Sequence, residues 1–110
     1  MGSTLRTALA EALTVALRHG DRPKVAAVRI ALAAVANAEA VDASDAGSEE
    51  RFAPSEVERR QLTESDVESI VRQVRDDMRA SSSELRRLGQ HERAEELARQ
   101  ADAMSGFIVG

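Results

Sequence analysis

The chain has 110 residues, a hydrophobic fraction of 43%, two aromatic residues (Phe52 and Phe107) and no Cys, with 15 basic and 19 acidic side chains for a net charge of −4. That length holds one small domain, which hides roughly two-thirds of its unfolded surface. Having no Cys excludes a disulfide scaffold and a thiolate zinc site; two aromatics are too few for a sheet-rich core or a base-stacking platform; and the acidic balance is unlike that of an independent DNA binder.

Twenty alanines dominate the apolar set, and Ala favours helix while adding little burial per residue. Ser3 or Thr4 can cap a first helix, in which Leu5, Leu9, Ala12, Leu13, Ala16 and Leu17 recur on one stripe. Gly20 stops it, since Gly takes the left-handed conformation at little cost. Asp21 is a good N-cap for the second helix, and Pro23 is tolerated in its first turn. Val25, Val28, Leu32, Val35 and Ala36 form the second stripe, which runs to about Ala40. So short a joint predicts an antiparallel hairpin over residues 4–40.

Residues 41–61 carry Gly47, Pro54, several Ser and an acidic bias, without a sustained apolar period. They read as a flexible acidic linker, with a short helical turn over residues 55–60 as its only regular piece. Phe52 is its one large apolar group, either docked loosely on the bundle or an anchor for a partner.

Thr63 with Asp66 resembles a capping box. Beyond it Val67, Val71, Val74, Met78, Ser81, Leu85 and Leu88 sit at heptad steps, with Ser81 as a polar break. Gly89 ends this long helix. A last helix begins near His91, carries Ala94, Leu97, Ala101, Met104 and Ile108, and frays near Ser105 and Gly106. The second hairpin therefore covers residues 62–108. The predicted fold is all-α: a small antiparallel bundle of two hairpins, four helices in all, with the linker looping outside.

Little in this chain signals catalysis. His19 and His91 are isolated imidazoles, so no zinc pair is spaced for binding. Ser81, Ser82 and Ser83 read as exposed mid-helix serines with no base at helical spacing. Asp76-Asp77 and Glu95-Glu96 read as surface acids paired with Arg72 and Arg99. No Gly-rich phosphate loop is present, and neither a metal, a cofactor nor a small-molecule substrate is expected. No segment resembles a signal peptide or approaches the ~20 apolar residues of a membrane span, so a cytoplasmic protein is expected.

Arg is the remaining lead: fourteen of the fifteen basic residues are Arg, the better fork for phosphate and carboxylate. Arg18, Arg22, Lys24 and Arg29 gather round the first hairpin turn. Arg72, Arg75, Arg79 and Arg86 form a stripe about 20 Å long on the third helix. Such positions suit a nucleic-acid backbone, although Glu68, Asp76 and Asp77 dilute them.

The order of elements resembles the GatB/YqeY family. LAEALTVALRHGDRPKVAAVRIALAAVANAEA (residues 9–40) is similar to its start, with Asp21 in the turn, Arg29 in the second helix and Asn37 and Glu39 closing the run. LTESDVESIV (residues 62–71), with Thr63, is similar to its lead-in to a long Arg-rich helix, and Arg79 and the Leu88-Gly89 stop match the rest. The linker is longer than the family pattern, and Ala36 stands where a basic residue is usual. The resemblance implies a stand-alone version of the larger helical part, ending near Phe107 where the family continues into a second helical domain. In the family this module forms the tail of the B subunit of the tRNA-dependent amidotransferase, where it helps hold tRNA. The implied function is a non-catalytic module that contacts tRNA or a protein partner. The alternatives are an accessory component of the amidotransferase (a carbon–nitrogen ligase using glutamine) and a homodimer through the Val67–Leu88 seam.

Overall fold

A computed structural model describes residues 4–49 and 62–108, with side chains at 4–40 and 62–108. Four helices follow in order: α1 (Thr4–His19), α2 (Arg22–Glu49), α3 (Glu64–Arg87) and α4 (His91–Ser105). The all-α bundle of two hairpins is therefore present. Arg6 reaches Glu39 across the first hairpin, and Ser82 and Arg79 reach Ala94 and Ser105 across the second, so both are antiparallel.

Both tight turns work the same way. Gly20 takes φ 67° and Gly89 φ 83°, a region costly for any residue with a Cβ. The left-handed step lets Asp21 N–H donate to Ala16 C=O (3.0 Å) and Gln90 N–H to Leu85 C=O (2.8 Å). Carbonyls left open at each helix end are satisfied this way. On the far side, Asp21 Oδ1 accepts from Lys24 N–H (3.3 Å), starting α2. Thr63 and Asp66 exchange two bonds, each 3.0 Å, in a complete capping box at the start of α3.

α2 is longer than the apolar stripe indicates. Its backbone stays helical to Glu49, so residues 41–49 of the predicted linker continue the helix. Ala40, Ala43 and Ala46 support that extension by propensity, against the cost of Gly47. Phe52 and the turn expected over residues 55–60 lie outside the described residues.

The core is one cluster drawn from all four helices. Leu9, Val28, Val35, Val67, Val71 and Met104 are its largest fully buried side chains. The most extensive contact is α3 on α4, and α2 and α4 join the hairpins. Three predicted stripes shift. On α1 the stripe ends at Ala16, and Leu17 is 52% exposed. On α2 the buried set is Ala27, Val28, Ala31 and Val35, while Ala36 is exposed. On α3 the buried line runs Val67, Val71, Val74, Met78 and then Ser82, not Ser81. A straight helix repeats every 3.6 residues, so a strict heptad drifts off the contact face. Leu88, the C-cap beyond the last turn of α3, is 63% exposed. Val67, Val71, Val74 and Met78 of that seam are buried within the chain, while Ser81 is exposed and Leu85 half-buried.

Polar groups tie the hairpins together. Both Glu64 carboxylate oxygens accept from Leu5 N–H in the first turn of α1, at 3.2 and 3.1 Å, across 59 residues of sequence. An anion there also complements the positive end of the α1 dipole. No helix among the described residues is long and apolar enough to cross a membrane.

Two substitutions separate the observed seam from the heptad. Met78→Ala is expected to cost about 2–5 kcal/mol, and Leu88→Ala no more than about 0.5 kcal/mol, read from urea unfolding midpoints. Nothing surrounds a Cβ added at Gly89. Gly89→Ala should therefore cost only its backbone strain, about 1–2 kcal/mol, in the same measurement.

Candidate nucleic-acid interface

The cations divide into two groups according to what they touch. Arg75 is only 7% exposed and its Nε donates to Asp76 Oδ1 at 3.1 Å. Arg72 pairs with Glu68 at 3.5 Å, and Arg6 with Glu39 at 2.7 Å. Arg87 pairs with Glu84 at 2.6 Å, and Arg99 with Glu95 and Glu96 at 3.6 and 3.4 Å. These side chains are already neutralised within the fold. The predicted stripe along α3 is therefore broken: Arg72 and Arg75 are committed to carboxylates, and Arg75 lies in the interior, where its aliphatic stem packs.

Six of the eight candidate cations remain. Arg18, Arg22, Arg29, Arg79 and Arg86 are exposed and Lys24 is half-buried. Among the described residues, none of the six has a carboxylate within ion-pair distance. Arg18 lies in the last turn of α1, and Arg22, Lys24 and Arg29 lie on the first two turns of α2. The Lys24 ammonium stands over the Phe107 ring, 5.7 Å from its centre. Such a contact attracts a cation to the ring face. It also sets the start of α2 against the end of α4. There, two residues before Phe107, Ser105 Oγ accepts from Arg79 Nη2 at 3.1 Å. Thus Lys24 of the first hairpin and Arg79 of the second both meet the end of α4.

Arg79 and Arg86 also line an open groove of about 310 Å³ between α3 and α4. Ala98 and Ala101 form part of its opposite wall, and their small side chains leave the space. Ser82, Ser83 and Asp102 complete the polar lining.

Of the residues that carry the sequence resemblance, four have structural duties, while Arg29 is exposed. Asp21, Thr63 and Gly89 start or stop helices. Glu39 is held by Arg6, while Asn37 is exposed. The serine triplet is not uniformly exposed: Ser82 is buried and its hydroxyl donates to Ala94 C=O at 2.7 Å, fastening α3 to α4. His19 Nδ1 contacts Val15 C=O of its own helix at 3.0 Å. Among the described residues no three His, Asp or Glu side chains gather to hold a metal.

Asp102 and Ser105 carried no signal in the sequence, because only the α3–α4 pairing brings them to Arg79. Ser83 did carry one, being four residues after Arg79 and three before Arg86. Comparison with protein-family models, with curated proteins and with solved structures found no match.

The division of the arginines has a direct readout. Arg75→Ala should lower stability by more than about 1 kcal/mol, whereas Arg86→Ala should change it by no more than about 0.5 kcal/mol. Urea unfolding of both variants, followed by circular dichroism, checks this.

Proposed function

We propose that this chain is a non-catalytic helical module of the GatB/YqeY type that binds tRNA through its exposed arginines, in the cytoplasm. One observation carries the reading: Arg18, Arg22, Arg29, Arg79 and Arg86 stand exposed without carboxylate partners among the described residues, although the chain as a whole is acidic. Unpaired guanidinium groups are the donors that a phosphate backbone engages, in the bidentate geometry that Lys lacks. The overall charge of −4 opposes indiscriminate binding to polyanions. Binding would thus be local, confined to the hairpin turn and the α3–α4 groove. The order of elements similar to the tRNA-holding tail of the amidotransferase B subunit points the same way.

Filter binding of bulk tRNA at two salt concentrations tests this. Affinity should fall as salt rises, with a slope of about 0.7–0.9 per contacted phosphate. The triple variant Arg18→Gln, Arg22→Gln, Arg29→Gln should reduce that slope by about 2 without changing the helical spectrum. No retention of tRNA by the wild-type chain even at the lower salt would defeat the reading.

A further inference from the structure

The groove between α3 and α4 has a composition that a plain polyanion site lacks. Its α3 wall carries Arg79 and Arg86, two helical turns apart on one face, with the exposed Ser83 between them. Its α4 wall carries an exposed carboxylate, Asp102. Asp102 forms no ion pair with either arginine. Arg79 is instead held back by Ser105, whose own hydroxyl donates to Ala101 C=O at 3.3 Å. One bond to Ser105 leaves most of the five guanidinium donors of Arg79 available. The groove therefore offers donors for an anion on one wall and, across it, a strong acceptor that repels anions. A ligand matching both walls carries a phosphate and, close beside it, a hydroxyl that can donate.

We propose that this groove seats one ribonucleotide unit, with its phosphate between Arg79 and Arg86 and its ribose 2′-hydroxyl donating to Asp102. The proposal rests on the RNA-binding reading and sharpens it: the site selects RNA over DNA. The 2′-hydroxyl is the group by which a protein distinguishes the two. A deoxyribose leaves the Asp102 carboxylate without its donor and facing a phosphate. Ser83 stands where its hydroxyl can add a third donor to the phosphate. A free sugar phosphate shares the same chemistry and is the competing source of the ligand.

The test uses the full chain with three probes: a single-stranded RNA decamer, the DNA decamer of the same sequence, and ribose 5-phosphate. Fluorescence anisotropy at low salt should show RNA preferred by about tenfold, the worth of one hydrogen bond to a charged acceptor. Asp102→Ala should erase that preference, chiefly by tightening DNA binding. Arg79→Gln and Arg86→Gln should each weaken the RNA several-fold. Asp102 is exposed, so its loss should leave the helical spectrum unchanged and the comparison valid. Equal binding of RNA and DNA by the wild type, or a preference that survives Asp102→Ala, overturns the ribose assignment while leaving RNA binding intact. Ribose 5-phosphate binding as tightly as the decamer overturns the strand as the occupant. Binding of neither decamer overturns the RNA-binding reading itself, and this inference with it.

Discussion

The structure depends on burying two thin apolar faces against each other. Each hairpin offers mainly Ala, Val and Leu, and the fully buried set is led by Leu9, Val28, Val35, Val67, Val71 and Met104. Small side chains let the helix axes approach closely. They also bury little area per residue, at about 25 cal/mol for each Å² removed from water. Such a core has a narrow margin, and it needs the helices to begin and end at defined residues. Gly20 and Gly89 supply the stops, and Asp21 and the Thr63–Asp66 pair supply the starts.

Polar contacts then hold the two hairpins in register. Glu64 caps α1 from the far half of the chain, Arg6 pairs with Glu39 along the first hairpin, and Ser82 fastens α3 to α4. Arginine is divided between these structural tasks and the surface. Where a carboxylate lies one turn away or next in sequence, as for Arg72 and Arg75, the guanidinium is used within the fold. Arg18, Arg22, Arg29, Arg79 and Arg86 have no carboxylate within ion-pair distance among the described residues, even though Asp21 adjoins Arg22 and Asp76 lies one turn before Arg79, so their charge remains available to a ligand. The acidic residues thus define the candidate interface by what they leave unpaired.

What was legible in the sequence is what local physics decides. Gly20, Asp21, Thr63 and Gly89 act within one helical turn, and each sits where a start or stop was expected. The face of a helix is harder to read. Ser81 and Ser82 are chemically identical, and only the Ala94 carbonyl opposite, reached through tertiary pairing, selects Ser82 for burial. Leu88 looked like core on the heptad but lies past the end of the contact. Arg75 read as surface charge because its stem, which packs inside, is invisible to a charge pattern. The cap on α1 by Glu64 spans 59 residues, and Asp102 meets Arg79 and Arg86 only when α4 folds back on α3. The candidate site was half legible for that reason: its cations show in the sequence, and the carboxylate proposed to give it selectivity does not.

The central claim is that tRNA meets the unpaired arginines and avoids the paired ones. Amide-resolved NMR of the chain, titrated with tRNA at fixed salt, tests it most directly. Shifts should concentrate in two places, residues 18–29 around the first hairpin turn and the Arg79–Arg86 stretch facing Asp102. Shifts centred instead on the paired stretch from Glu68 to Asp76, or spread evenly over the surface, would contradict it.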